Sequence, residues 1–171
     1  PGLPNSEERT RELGKHIHRL GLEFVAVHLP MSPGESWPLS CHRCAFNRRK
    51  ALFSAAERAG CNKIAFGHHA DDSAQTTLLN LIHQGRLESI VPLREFFDGR
   101  ITLIRPLILT PEKEIFFFAR EAGYPIGQMD CPNSGSSQRA VMARLLREIE
   151  KNAPWARSKL WQAVQRYNRT N

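Results

Sequence analysis

The sequence has no long apolar segment. None of its apolar runs approaches the ~20 residues that a membrane-spanning helix needs, and no basic, apolar and small-residue signal opens it. Cysteine is also scarce, with four in 171 residues. Without a secretion signal, so few cysteines favour metal binding or catalysis over structural disulfides. We therefore expect no membrane partner and a cytoplasmic location.

Acidic residues are scarce at the C-terminal end. Residues 137–171 contain eight Lys or Arg against two Glu, which is +6 of the total formal charge of +7. Such a tail is typical of a phosphate-binding surface, although a solvated helical face has the same composition. We predict an α/β domain over residues 1–136 and a basic, RNA-binding helical extension over residues 137–171. The candidate RNA-binding residues are Arg139, Arg144, Arg147 and Lys151.

Hydrophobic periodicity outlines the secondary structure. It predicts strands over residues 22–29, 63–66 and 101–109, the last ending at Arg105-Pro106 or continuing a little beyond, with an irregular or hairpin-like segment over 86–99. Helices are predicted over residues 6–20, 43–59, from about 70 to 84, over 110–123, and in two pieces from 137 onward. The apolar face of the helix at 110–123, which includes Phe118, is expected to be buried. This order fits a doubly wound, Rossmann-like α/β fold with a parallel sheet.

A block of polar residues lies between the second strand and its helix. The apolar run at 63–66 is expected to be a strand buried on both faces, and it ends at Gly67. In open α/β sheets ligands bind beyond the carboxyl ends of the strands, and a helix N-terminus attracts phosphates. We therefore interpret the block as a nucleotide site. Its candidate nucleotide contacts are Gly67, His68, His69 and Asp72.

Two neighbouring aspartates in the block suggest a metal ion. Magnesium prefers a few carboxylates together with phosphate oxygens, so Asp71 and Asp72 are the candidate magnesium ligands and catalytic residues. A simpler interpretation stays open, in which Asp71 or Ser73 only caps the helix and the histidines are turn residues.

Cys41 and Cys44 form a C-x-x-C pair, whose spacing lets two thiolates reach one metal centre. A thioredoxin-like redox pair would need its own βαβ context, and a structural zinc site normally needs four ligands. An iron–sulfur cluster is held by thiolates. Cys131 is an obvious third sulfur for either metal centre, and Cys61 or a histidine could be a fourth.

Four segments of the chain, taken in order, resemble one enzyme family. They are CHRCAFNRRK, GHHADDSAQTTLLN, IRPLILTPEKEI and CPNSGSSQR. The second resembles the second sequence block of the PP-loop ATP pyrophosphatases, which activate a substrate carbonyl as its adenylate. Within that superfamily the set resembles the tRNA 2-thiocytidine synthetases of the TtcA type, and the resemblance runs over nearly the whole chain.

The resemblance implies an ATP-dependent tRNA-cytidine sulfurtransferase acting at position 32 of tRNA. ATP would adenylate the C2 oxygen of the cytidine with release of pyrophosphate, and sulfur at the open iron of a cluster would displace the adenylate. The implied cofactors are ATP, Mg²⁺ and a 4Fe–4S iron–sulfur cluster with the three cysteine ligands Cys41, Cys44 and Cys131. The implied partners are tRNA and a sulfur donor such as a cysteine desulfurase, and a homodimer is one option.

One motif of that family is missing. Its glycine-rich SGGKDS-type phosphate loop does not occur in these residues. We therefore expect the N-terminal strand and PP-loop to lie outside this chain, and the chain alone not to turn over ATP. Two other functions stay open. One is a sibling PP-loop enzyme for uridine thiolation or lysidine formation, with zinc at the cysteines, and the other is a non-catalytic, metal-stabilised RNA-binding module.

Overall fold

The computed structural model describes residues 6–28, 31, 32, 34–126, 131–133, 135 and 137–170. Within these ranges it contains the helices α1 (Ser6–Arg19), α2 (Cys41–Arg58), α3 (Ala70–Gln84), α4 (Glu112–Glu121), α5 (Gln138–Glu150) and α6 (Ala156–Thr170). Its strands are β1 (Lys63–Ala65), β2 (Leu93–Phe96) and β3 (Ile101–Ile104). The helix bounds agree with the sequence predictions to within a few residues.

Local sequence explains where several helices begin and end. Ser40 caps α2 and Ser137 caps α5, each with its side-chain oxygen accepting a hydrogen bond from a backbone N–H of the first turn. Gly85 closes α3 in the left-handed conformation, with φ of 64°, which glycine adopts at little cost.

The sheet contains both parallel and antiparallel pairing. Its order is β1-β3-β2, with β1 parallel to β3 and β2 antiparallel to β3. In the parallel pair, Ile64 lies opposite Leu103. β2, which lies in the segment predicted to be irregular or hairpin-like, forms a hairpin with β3, and β3 ends at Ile104, just before Arg105-Pro106. The predicted α/β class with parallel strand pairing is therefore confirmed.

The chain divides into two compact units. The first comprises Pro1–Cys61 and Ile115–Ser134, and the second comprises Asn62–Glu114 and Gly135–Asn171. The sheet lies in the second unit, where α3 packs against both α5 and α6. The predicted boundary between residues 136 and 137 stays a prediction.

Buried apolar side chains are concentrated in the second unit. Leu103 of β3 is 2% exposed and Leu146 of α5 is 0% exposed. Ala74 and Val164, from the two helices α3 and α6, are also buried. Burial of this apolar surface is the main source of stability for the unit.

Two expectations about strands are wrong. In β1, Ile64 is buried but Lys63 and Ala65 are exposed, so the described residues cover only one face of this strand. Residues 22–28, the described part of the predicted strand at 22–29, contain no strand, and Val25 is 61% exposed. A strand forms by pairing with a neighbour, and none of the three strands in the described ranges pairs with this segment.

The expected buried face of α4 is also wrong. The helix has no buried residue, and Phe118 is 66% exposed. No other helix or strand in the described part of the chain packs extensively against α4. Apolar periodicity indicates which residues share a face, but it does not supply the partner that covers them.

None of the helices in the part of the chain that the structure describes is both long enough and apolar enough to cross a bilayer.

The packing of α5 can be tested with two adjacent leucines. We expect Leu146→Ala to lower the free energy of unfolding by about 2–5 kcal/mol, because it leaves a cavity at a fully buried position. Leu145→Ala is the matched control, since Leu145 is 43% exposed on the same helix, and it should cost less than about 1 kcal/mol. Urea denaturation followed by circular dichroism measures both. Equal losses in the two variants would contradict the packing.

Candidate functional site

The turns that follow β1 and β3 lie at the same edge of the sheet. The backbone N–H of Phe66, just beyond β1, donates to the carbonyl of Ile104 at the end of β3, at 2.9 Å. The N–H of Ala70 then donates to the carbonyl of Thr110, at 3.0 Å. The first turns of α3 and α4 are therefore held side by side, and each presents backbone N–H groups that the helix leaves unpaired.

Asp72 completes the start of α3. The N-cap is His69 rather than Asp71 or Ser73, which corrects the simpler interpretation of the block. The Asp72 Oδ2 atom accepts a hydrogen bond from the His69 backbone N–H at 3.1 Å. Its Oδ1 atom lies 3.5 Å from an amino group of Arg139, a side chain that is 49% exposed. Asp72 therefore has one oxygen in a helix cap and the other in a long, half-exposed ion pair.

Asp71 has shorter contacts than Asp72. Its Oδ2 atom accepts the backbone N–H of Glu112 at 2.8 Å, which is the first residue of α4. Its Oδ1 atom forms an ion pair with Arg157 of α6. The Asp71 side chain is 12% exposed, and its carboxylate therefore joins α3, α4 and α6 within the second unit.

Arg157 also pairs with Glu150 of α5, whose Oε1 atom accepts its Nε–H at 2.6 Å. Burial by itself would lower the pKa of Arg157. The hydrogen bond to Glu150 and the attraction of Asp71, Glu150 and Glu112 outweigh that effect and raise the pKa above its ordinary value. The guanidinium therefore stays charged between its two carboxylates.

Both histidines of the block lie at this edge. His69 is 17% exposed and faces three carboxylates, with its Nε2 atom 3.4 Å from Asp72 and 3.9 Å from Glu112 and its Nδ1 atom 3.7 Å from Asp71. His68 accepts a hydrogen bond on Nδ1 from the Nε–H of Arg105, at 3.2 Å. The edge thus combines carboxylates, imidazoles and guanidinium groups.

Gly67 borders open space. A Cβ atom placed on it would meet no atom within 4 Å, and its φ does not lie in the left-handed region. Neither backbone conformation nor packing in the described residues therefore demands glycine at this position.

The four candidate RNA-binding residues separate into two groups on α5. Arg139 follows the same helical stripe as the buried residues Met142 and Leu146, at i, i+3 and i+7, and it pairs with Asp72. Arg144 and Arg147 share another side of α5, Lys151 follows them just past its end, and all three are exposed. These three form a basic stripe facing solvent, in which Arg144 donates to the Gly135 carbonyl and Lys151 pairs with Glu148.

The C-x-x-C pair opens α2 in the first unit. Cys41 is the first residue of the helix and is exposed, and Cys44 stands one turn later and is half-buried. The Arg43 N–H donates to the side chain of the cap Ser40 at 3.3 Å. The two thiols therefore lie one turn apart at the beginning of the same helix.

The segment that carries Cys131 is attached close to this helix start. The Nδ2 group of Asn133 donates to the carbonyl of Leu39 at 3.0 Å, so a residue two after Cys131 bonds to a residue two before Cys41. Across the described residues, however, no group of three or more His, Cys, Asp or Glu side chains is arranged to hold a metal ion. The three-cysteine ligand set stays a prediction.

An ion pair fixes the loop before the C-x-x-C motif. Glu35 pairs with Arg43, which stands between the two cysteines, and its Oε2 atom accepts the Ser32 backbone N–H at 2.7 Å. The hydrogen bond from Ser32 and the contacts with Arg43 hold the pKa of Glu35 below its ordinary value of 4.5. No sequence pattern indicates this pair or the contacts of Asn133 and Arg157, because each contact joins residues without a helical or strand spacing.

No family model matches the chain. Over 134 residues it is 40% identical to a tRNA-cytidine(32) 2-sulfurtransferase from Geobacter sulfurreducens, a match that covers 77% of this chain and 51% of the relative. Over 161 residues it is 39% identical to a protein of the same name from Geotalea uraniireducens, covering 92% of this chain and 63% of the relative. The chain is homologous to the tRNA-cytidine(32) 2-sulfurtransferases. The resemblance to this family is therefore confirmed, and the chain spans about half the length of the relatives it matches first.

A solved structure shares the fold of the sulfurtransferase homologue. It is the U34-tRNA thiolase from Methanococcus maripaludis with its 4Fe–4S cluster, with a TM-score of 0.76 and 24% sequence identity. The match covers 97% of this chain and 57% of that chain. At this identity the likeness establishes the fold alone.

The Glu35–Arg43 pair leads to a prediction about pH. A carboxylate whose pKa is lower in the folded state stabilises the fold above its unfolded-state pKa, and that contribution is lost as the pH falls through the folded value. We expect the stability difference between wild type and Glu35→Gln to be constant near neutral pH and to shrink as the pH falls below 4.5. Urea denaturation at a series of pH values measures it. In an Arg43→Gln background the difference should be smaller, and a difference that this background leaves unchanged, or one that grows as the pH falls, would contradict the prediction.

Proposed function

We propose that this chain takes part in ATP-dependent 2-thiolation of cytidine 32 in tRNA. The observation that carries the proposal is the match to tRNA-cytidine(32) 2-sulfurtransferases, which extends over 161 residues for the Geotalea uraniireducens relative. The proposed partners are tRNA and a sulfur donor, and the proposed cofactors are ATP, magnesium and an iron–sulfur cluster. The reaction would place the protein in the cytoplasm.

The edge of the sheet where α3 and α4 begin is the proposed nucleotide site. The C2 oxygen of cytidine is a poor leaving group until it carries a phosphate, so adenylation with loss of pyrophosphate prepares its replacement. Gly67 leaves room for a phosphate to approach the backbone, and the N-terminus of α3 attracts its charge. His68 and His69 are proposed to contact phosphate or adenine, and a carboxylate of the block would hold magnesium against the phosphates.

The cysteines of the first unit are the proposed ligands of the cluster. Cys41, Cys44 and Cys131 offer three sulfurs, and the bond from Asn133 to Leu39 brings the segment of Cys131 to the beginning of α2. A cluster with three protein ligands supplies an open iron that can carry the sulfur to be transferred. Cys61 is exposed at the end of the first unit and is not assigned to the cluster.

The proposal that the modified base is cytidine rests on the sequence relatives. The fold is shared with a thiolase that acts on U34, so the fold does not distinguish cytidine from uridine. The relatives at 39% and 40% identity are named for cytidine 32, which favours that base.

Cys61 provides an internal control for the ligand set. After anaerobic reconstitution with iron and sulfide, we expect about four irons per chain. A pulse of iodoacetamide followed by mass spectrometry should then show Cys41, Cys44 and Cys131 protected from alkylation, because bound thiolates are unavailable to the reagent. Cys61 should stay as reactive as in the metal-free chain, since it is exposed and unassigned.

The role of Cys131 is decided by its replacement. Cys131→Ser should lower the bound iron and restore alkylation at Cys41 and Cys44. Cys61→Ser should leave the iron content and the absorbance of the cluster unchanged. If Cys131→Ser retains the iron and absorbance of the wild type, the assignment of three cysteine ligands is wrong.

The basic stripe of α5 is proposed to contact the tRNA backbone. Replacing Arg144, Arg147 and Lys151 by Gln should weaken binding across tRNA sequences and flatten its salt dependence by up to about one unit per lost contact. Arg139→Gln is the contrast, because Arg139 lies outside this stripe, beside Asp72, and it should change the salt slope less than any one of the three. Filter binding between about 50 and 200 mM salt measures both. An unchanged slope in the triple variant would show that the stripe is only solvated.

A further inference from the structure

We propose that Asp71 is a positioning residue, and that Asp72 is the one carboxylate of the pair that faces the magnesium nucleotide. The nucleotide itself rests on the proposed function. The division between the two carboxylates rests on their contacts within the second unit.

Both oxygens of Asp71 are engaged by groups of other helices, a backbone N–H of α4 and the guanidinium of Arg157. Its Oδ2 atom accepts the first backbone N–H of α4, and its Oδ1 atom pairs with Arg157. The Asp71 side chain is 12% exposed and that of Arg157 is 22% exposed. If Asp71 turned toward a metal ion, a largely buried guanidinium would lose one of its two carboxylates, which is a costly change.

Arg157 extends the contact across the helices. It lies on α6, and its second partner, Glu150, lies on α5, so the chain of charges Asp71–Arg157–Glu150 connects three helices. The same three helices bury Ala74, Leu146 and Val164 between them. Asp71 thus fixes the position of the first turn of α3 relative to the start of α4 and to α6.

The surroundings of Asp72 differ from those of Asp71. Its side chain is 20% exposed, and its Oδ1 atom has only the ion pair with Arg139, at 3.5 Å. That distance is beyond a normal hydrogen bond, and Arg139 is 49% exposed, so water screens the pair. A cation can replace such a partner at little cost, and Arg139 would then lie beside the phosphates.

Matched substitutions separate the two roles by stability. Asparagine keeps one oxygen acceptor at either position, removes the charge and replaces the other oxygen by an NH2 donor. Asp71→Asn should lower Tm by about 5 °C or more, because Arg157 loses one of its two carboxylate partners and an acceptor at the start of α4 or α6 is lost. Asp72→Asn should lower Tm by less than about 2 °C, since the cap to His69 is retained.

A double-mutant cycle identifies the partner. Arg157→Gln should lower Tm by a similar amount to Asp71→Asn, and the double variant should lose little more than the larger single one. Asp72→Asn combined with Arg157→Gln should be additive. Additive losses for Asp71→Asn and Arg157→Gln would overturn the positioning role.

The second measurement is Mn²⁺ binding with ATP, followed by electron paramagnetic resonance at a temperature where every variant is folded. Asp72→Asn should remove measurable binding. Asp71→Asn should weaken it by about ten-fold, as expected for a residue that orients a ligand from behind, and Arg157→Gln should weaken it by the same factor. Equal weakening of Mn²⁺ binding in Asp71→Asn and Arg157→Gln would show that Asp71 acts by positioning, because Arg157 is not proposed to touch the metal or the nucleotide.

Three results would count against the proposal. Asp71 would be a metal ligand if Asp71→Asn removed binding while Arg157→Gln left it intact. Wild-type binding in Asp72→Asn would remove Asp72 from the site. If the wild-type chain bound no Mn²⁺ with ATP, the proposed nucleotide site would fail and the role of Asp72 with it, while the stability cycle would still decide the role of Asp71.

Discussion

Parallel pairing of β1 and β3 is the constraint on which the candidate nucleotide site depends. Because the two strands run in the same direction, the turns that leave them lie at one edge of the sheet. The bond from Ala70 to Thr110 then places the starts of α3 and α4 side by side. Two positive helix ends meet there, and the carboxylates of Asp71 and Asp72 occupy the position that such ends favour.

Structural features that depend on residues close together along the chain could be predicted from the sequence. Helix bounds, the hairpin and the strand–turn–helix arrangement around Gly67 all follow from periodicity and from cap and turn residues. The roles within the block were not predictable in this way. What separates Asp71 from Asp72 is a partner 86 residues away, and no local pattern identifies it. The same is true of Asn133, whose bond to Leu39 spans 94 residues.

One distinction could have been read from the sequence. Arg139 has the spacing i, i+3, i+7 with Met142 and Leu146, which are apolar and therefore expected inside, whereas Arg144 and Arg147 do not share that stripe. Apolar composition alone, by contrast, predicts burial for some residues that the structure shows to be exposed. Leu22, Val25 and Phe118 are apolar and exposed, because burial requires a second surface and composition does not show whether one is present.

The ion pair between Asp71 and Arg157 also constrains how this sequence can vary. Arg157 is balanced by two carboxylates, so loss of the Asp71 charge leaves it with Glu150 alone, and loss of the Arg157 charge leaves both carboxylates without their cation. A charge change at position 157 therefore calls for compensating changes at positions 71 and 150. The three positions are expected to vary together, although Asp71 and Arg157 are 86 residues apart.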